Sequence, residues 1–163
     1  MLTAFSALTL AGTALATAAR GPVGDGTLSV RDGRGSVTLK MKGGVIGRFA
    51  RGTLTVTDPD GQTEVEVVRG AERSRPINGR TTIYSGSGIR FRISDDQKIL
   101  IKVAASKTNL SAVGRGDVWL DGRGDPEEGV FFDGSYSLNG EDYKSLPDER
   151  AHFDLAAPPP PGN

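Results

Sequence analysis

The chain has 163 residues, with 20 basic and 20 acidic side chains, no cysteine and one histidine. Without cysteine, thiolate metal sites, disulfides and a cysteine nucleophile are excluded, and a single histidine argues against a zinc site. A formal net charge of zero also argues against a nucleic-acid-binding protein, which would carry a basic excess.

The first segment, residues 1–20, differs from the rest of the chain. It carries no charged side chain before Arg20 and is rich in Leu, Ala and Thr, with small residues at alternate positions near its end. This composition resembles a secretory signal peptide without the usual basic start, and the alternative is an apolar segment packed on the domain. It is too short and too interrupted for a transmembrane span. We therefore predict export to the cell envelope or the medium.

The segment that follows, residues 21–155, is long enough for one domain and too short for two. The remaining residues, 156–163, are dominated by proline and predict a disordered tail. Within the domain, apolar and polar side chains alternate repeatedly, and this period of two is typical of half-buried β-strands. Ten strands are predicted: 27–31, 36–42, 52–57, 63–68, 80–84, 88–94, 98–104, 116–120, 130–138 and 151–155.

Turn signals separate these strands. Residues 31–35 and 94–97 contain Gly, Asp and Ser and predict two hairpins, while the Asp-Pro-Asp-Gly of 58–61 predicts a β-turn. The order of motifs from Gly26 to Gly52 recurs from Gly88 to Gly116, which indicates a weak internal duplication. The pattern predicts an all-β fold, a two-sheet antiparallel β-sandwich of about eight to ten strands, with a small closed barrel as the alternative.

The predicted core consists of the apolar side chains that share the inner face of each strand. They are Leu28, Val30, Val37, Leu39, Met41, Leu54, Val56, Val65, Val67, Ile83, Phe91, Ile93, Ile99, Ile101, Val103, Val118, Leu120, Phe132, Leu138, Phe153 and Leu155. Four more, Val45, Ile46, Leu110 and Val113, are expected to close the ends of the sandwich.

Candidate ligand-binding residues come from charge and from the single tryptophan. Residues 115–163 hold 4 basic and 11 acidic side chains, whereas residues 1–114 hold the other 16 basic and 9 acidic ones. An arginine segment in the basic part could bind an anionic partner, although mutual neutralisation of the two halves is the simpler explanation. Trp119 follows the polar face of its strand and could line a glycan groove. The predicted ligand-binding residues are Trp119, Arg69, Arg73, Arg75 and Arg80.

Other motifs have simpler explanations. Asp58, Asp60 and Glu64 resemble part of a calcium loop but lack its spacing, so a hairpin turn is preferred. Two Arg-Gly-Asp tripeptides, 115–117 and 123–125, are explained by turn composition. His152, the acid pairs 127–128 and 141–142, and the glycines of 86–88 lack the partners that catalysis or phosphate binding needs. No catalytic residue, metal or cofactor is predicted.

Several motifs in order carry a resemblance: Gly-Thr-Leu-Ser-Val at 26–30, Val-Ile-Gly-Arg at 45–48, and the segments 89–93, 110–116 and 135–140. In this order they resemble a group of small secreted bacterial all-β proteins of unknown function. The resemblance implies export and an all-β fold, and it implies no activity or site residue.

These observations predict an exported, non-enzymatic β-sandwich that acts by surface recognition or as a structural accessory at the cell envelope. Its partner would be an anionic cell-envelope polymer or a surface protein, and not nucleic acid. The alternative is a ligand-binding β-module for a glycan or a small apolar ligand. A hydrolase is the least favoured reading, because no catalytic constellation is visible.

Overall fold

A computed structural model of the chain describes residues 24–61, 65–123 and 132–158. The predicted signal segment 1–20, the end of the proline-rich tail, the tripeptide residues Gly124 and Asp125, and the acid pair 127–128 lie outside the described residues. No described helix is long and apolar enough to cross a membrane. The strands are β1 (Gly26–Thr57), β2 (Val65–Arg69), β3 (Arg73–Asn78), β4 (Thr81–Gly122), β5 (Ser135–Leu138), β6 (Lys144–Ser145) and β7 (Ala151–Leu155).

Two of these strands, β1 with 32 residues and β4 with 42, are far longer than ordinary strands and change direction along their length. We divide β1 into β1a (26–33), β1b (35–42), β1c (43–50) and β1d (51–57). We divide β4 into β4a (81–87), β4b (89–95), β4c (98–106), β4d (107–114) and β4e (115–122). Each boundary is a place where the pairing partner of the strand changes.

The backbone pairings separate these segments into two antiparallel sheets. The first sheet has the order β6, β5, β1a, β4d, β1c, β4b, β2. The second sheet has the order β7, β4e, β1b, β4c, β1d, β4a, β3. No described pairing joins a segment of one set to a segment of the other, so the sheets are connected only where the chain passes between them. The predicted antiparallel sandwich is confirmed, and its strands do not close into a barrel.

The internal duplication is visible in this topology. Segments β1a to β1d lie in the first, second, first and second sheets, and segments β4b to β4e follow the same order. The two sets of four interleave, so that β1b lies between β4c and β4e while β4d lies between β1a and β1c. The repeat of motifs that starts at Gly26 and at Gly88 therefore corresponds to a repeated crossing between the sheets.

Glycines stand where the chain crosses from one sheet to the other. Gly35 begins β1b with a φ of 135°, and Gly114 ends β4d with a φ of 155°. A Cβ on Gly35 would overlap the carbonyl oxygen of Asp121, and one on Gly114 would overlap that of Lys42. Positive φ and close backbone contact both require glycine, because other residues would add strain and a clash.

The predicted hairpins at 31–35 and 94–97 are wrong. β1a and β1b do not pair with each other, and neither do β4b and β4c. Asp32, with a φ of 51°, and Gly35 turn the chain towards the opposite sheet instead of reversing it. At the second site Asp95 accepts a hydrogen bond from the Gln97 amide at 2.7 Å and supports the corresponding bend. Turn residues allow both geometries, and the long-range pairing selects the corner.

The core lies between the two sheets and matches most of the predicted side chains. Leu39, Leu54, Val118 and Leu120 are completely inaccessible to solvent. Ile83, Phe132, Leu138 and Phe153 are half-buried, and the Val65 side chain lies outside the described part of the structure. Buried side chains that the prediction missed are Phe49, Ile89, Ala112, Tyr136 and Leu146.

Three apolar positions were assigned to the wrong face. Val67 is 42% exposed, and its neighbour Val68 packs against the core, so the predicted alternation of β2 is displaced by one residue. Ile46 and Val113, expected to close the ends of the sandwich, are 56% and 48% exposed on the outside of the first sheet. Val45 and Leu110, from the same predicted set, are buried.

A side-chain hydrogen bond joins the two sheets at one edge of the sandwich. The Tyr84 hydroxyl of β4a donates to the Glu66 carboxylate of β2 at 2.6 Å. Burial raises the pKa of Tyr84 to about 12, and the hydrogen bond to Glu66 adds to the shift. The folded protein therefore favours the protonated phenol, and the stability from this preference is lost as the pH rises from about 10 towards 12.

We expect Tyr84→Phe to remove a phenol that titrates about two units above an ordinary tyrosine. A near-ultraviolet absorbance titration of wild type minus variant should show a midpoint close to pH 12. In urea at neutral pH the variant should lose about 1 kcal/mol of unfolding free energy, the usual contribution of one hydrogen bond. A difference titration centred near pH 10 would contradict the burial of Tyr84 and its hydrogen bond to Glu66.

Candidate functional site

The predicted ligand-binding residues do not form one cluster. Arg69 ends β2 on the outside of the first sheet, whereas Arg73 and Arg75 lie on β3 at the edge of the second sheet. Arg80 occupies the turn between β3 and β4. Trp119 lies on the outer face of β4e, among residues of the second sheet. Proximity in the sequence was misleading because β2 and β3 are edges of different sheets.

Arg69 instead belongs to a row of cationic side chains that crosses the first sheet. It pairs with Arg90 of β4b, and Arg90 pairs with Arg48 of β1c. Arg48 pairs with Asn109 of β4d, and Arg31 of the next segment, β1a, lines the same depression as these residues. We call Arg31, Arg48, Arg69 and Arg90 the arginine row. Side chains at paired positions of a sheet point to the same face, so the alternating strand period assembles this row.

A second row runs beside the first and has a different character. Its members, in sheet order, are Val67, Arg92, Ile46, Ser111 and Ser29. Ile46 and Val67 are the exposed apolar side chains of this row. The outside of the first sheet thus combines a line of guanidinium groups with a neighbouring line of methyl and hydroxyl groups.

The rows border open depressions on the surface. One, of about 530 Å³, is lined by Ser29, Arg31, Ile46, Arg48 and Arg90 together with Asn109 and Ser111. A second, of about 400 Å³, shares Ile46 and Ser111 and extends along Arg92 and Val113. Because the two share lining residues, they form one shallow site over the outer face of β4b, β1c and β4d.

Tyr143 forms a wall at one end of this site. Its ring lies 4.0 Å from the Arg31 guanidinium carbon, and its hydroxyl lies 2.8 Å from the Ser29 Oγ. The residues that carry it are held down by the Ser137 hydroxyl, which donates to the Glu141 carbonyl at 2.6 Å. Stacking on an aromatic ring orients a guanidinium while leaving its N–H groups available to a ligand.

Positive charge predominates around the arginine row, although Asp32 lines a neighbouring depression together with Arg48 and Arg90. Among the described residues, no carboxylate occupies an outward position of β1a, β4d, β1c, β4b or β2. Asp32 lies at the corner of the site and accepts a hydrogen bond from the Asn109 amide at 3.3 Å. Like charges on adjacent strands repel one another. An anionic ligand would relieve that repulsion, which makes this face the strongest candidate site.

Trp119 lies in a different environment from the predicted glycan groove. Its ring is 5.1 Å from that of His152 on β7, and the Arg150 guanidinium carbon lies 5.5 Å from the indole centroid. His152 Nε2 lies 3.0 Å from the Asp117 carboxylate. These contacts pack the indole into a side-chain cluster that fastens β7 to the second sheet.

Asp117, His152 and Asp154 place one ligand atom each within 4.8 Å of one another. In the same order, the side chains are 36%, 47% and 83% exposed. A surface cluster of ion pairs without a metal has the same geometry. Exposed acidic side chains often adopt such positions without binding a metal.

Sequence reasoning missed Arg31, Arg48, Ile46 and Tyr143 as members of the site. The alternation within each strand contained part of the signal, since Arg90 lies between two buried side chains and Arg31 and Arg48 each adjoin one. What joins them is the order of strands in the sheet. Comparison of the chain with protein-family models, with curated proteins and with solved structures finds no match.

Proposed function

We propose that this protein is a non-enzymatic binding module that recognises an acidic polymer through the outer face of the first sheet. The observation that carries the proposal is the arginine row, in which guanidinium groups of neighbouring strands face solvent without a carboxylate among them. Guanidinium groups form strong, bidentate hydrogen bonds with carboxylates and phosphates. An extended partner can contact several arginines of the row at once, and the weak contacts then add.

The setting of this function is the cell envelope or the medium, and its support is the signal-like composition of residues 1–20. A nucleic acid is not the proposed partner. The aromatic side chain at the site, Tyr143, lies beside Arg31 at one end, whereas single-stranded nucleic-acid sites distribute aromatic rings along the strand for base stacking.

The test compares matched pairs of charge-removing substitutions. Arg48→Gln with Arg90→Gln alters the arginine row, whereas Lys40→Gln with Lys102→Gln removes two charges from exposed positions of the second sheet. Binding of fluorescein-labelled polygalacturonate and polyphosphate is measured by anisotropy at several salt concentrations. We expect the arginine variant to bind about 10- to 100-fold more weakly. The slope of log affinity against log salt, which is negative, should become less steep by about 1.4.

The lysine variant should retain nearly the wild-type affinity, because its net charge matches that of the arginine variant while the arginine row is intact. Equal losses in the two variants would indicate that only net charge matters, and the proposed site would be abandoned. Binding that does not respond to salt would also contradict the proposal.

A further inference from the structure

The arginine row also contains information about the kind of polymer, and this step rests on the proposed function. We infer that the site takes a linear acidic polysaccharide with one carboxylate on each sugar, lying across the strands of the first sheet. Three features support this inference: the spacing of the cationic groups, the row of mainly apolar and hydroxyl side chains beside them, in which Arg92 is a cation, and the Tyr143 wall at the end.

The spacing follows from sheet geometry. Adjacent strands are separated by about 4.8 Å, so the backbone positions of Arg69, Arg90 and Arg48, which lie on consecutive strands, follow one another at roughly that interval. From β2 to β1a the row crosses five strands, a distance of about 19 Å. In a linear chain of sugar acids, each ring advances the polymer by about the distance between two strands. Carboxylates of such a chain can therefore reach Arg69, Arg90, Arg48 and Arg31, while Asn109 on β4d, between Arg48 and Arg31, offers an amide.

In the neighbouring row Arg92 stands between apolar side chains, so this row favours a partner that is not charged on every side. Ile46, 56% exposed, and Val67, 42% exposed, provide apolar contact, and Ser111 and Ser29 provide hydroxyl groups. A sugar ring has C–H and hydroxyl groups on the side away from its carboxylate. Polyphosphate has neither, so its contact with Ile46 would desolvate phosphate oxygens without replacing their hydrogen bonds.

Tyr143 makes the end of the site asymmetric. Its ring stacks beside Arg31 and rises from the segment that follows β5. A terminal sugar ring could pack against the Tyr143 and Arg31 side chains while its carboxylate binds the guanidinium. At the other end, Arg69 lies on the open edge strand β2, where a longer polymer can continue past the protein.

The experiment measures affinity for oligogalacturonates of increasing length, for polyphosphates of equal charge, and for methyl-esterified oligogalacturonates. Affinity for the oligogalacturonates should rise with length and level off at about five sugars, the number that spans the row. Polyphosphate of the same charge should bind at least about tenfold more weakly, and the ester should not bind.

Ile46→Ser provides a readout that charge alone would not move. It should weaken oligogalacturonate binding several-fold and should not weaken polyphosphate binding, because it removes the apolar contact that desolvates phosphate oxygens. The matched control is Ile77→Ser, since Ile77 is similarly exposed, at 50%, but lies on β3 at the edge of the second sheet, away from the arginine row.

The outcomes separate the two proposals. Preference for oligogalacturonate, with a plateau near about five units, supports the inference. Equal affinity for both polyanions at equal charge overturns the inference and leaves the proposed function standing. If neither polymer binds, both are wrong.

Discussion

Replacing Gly35 with alanine is expected to lower the free energy of unfolding by about 3 kcal/mol or more, enough to prevent folding in a marginally stable domain. The residue has a φ of 135°, and a Cβ there would overlap the Asp121 carbonyl oxygen. Backbone, unlike a flexible side chain, cannot move aside without breaking the pairing of β1b with β4e. The corner would therefore lose either its conformation or its hydrogen bonds.

The control for this prediction is Gly79→Ala, in the turn between β3 and β4. Gly79 has no positive φ, and nothing lies within 4 Å of the Cβ that alanine would add. Urea unfolding followed by tryptophan fluorescence compares the two variants with the wild type. We expect Gly79→Ala to unfold within about 0.5 kcal/mol of the wild type. Similar midpoints for the two variants would show that the corner does not depend on glycine.

The second large effect is expected for Leu39→Ala in the core. Leu39 is completely inaccessible to solvent in β1b, between β4c and β4e of the second sheet. Truncation removes buried methyl groups and leaves a cavity that close-packed neighbours fill only partly, at a cost of about 2 to 5 kcal/mol. The loss should appear as a lower urea midpoint with an unchanged denaturant slope.

Leu100→Ala is the matched control, because it makes the same chemical change on the opposite face of the sheet. Leu100 pairs with Lys40, the outward neighbour of Leu39, and is half-buried. It should cost less than half as much as Leu39→Ala. If the outward leucine proved equally costly, the assignment of inner and outer faces in the second sheet would be wrong.

Local alternation was sufficient to predict the fold class and most of the core. Leu28, Val37 and Val118 each belong to a strand in which every second side chain is apolar. A half-buried strand places such side chains on one side, whichever strand it pairs with. The prediction failed where the signal was short. In β2, three valines within four residues fit either register, and the contact with the core decided for Val68.

Corners and the candidate site depended on contacts that no local pattern contains. Gly35 and Asp95 are turn residues in either a hairpin or a corner, and only the ladders formed by β1 with β4 distinguish the two. Arg31, Arg48, Arg69 and Arg90 are separated by up to 59 residues in the chain. They became neighbours because the interleaved repeats placed their strands next to one another.

The sequence by itself determined that the chain would form antiparallel strands with one apolar face, because the period of side-chain direction in a strand is a local property. It also determined where the chain could bend, since only glycine tolerates the backbone of Gly35 and Gly114. The tertiary structure decided which strands became neighbours, and with that which arginines share a surface. Strand order is set by the burial of the whole core, a property that belongs to all the strands together.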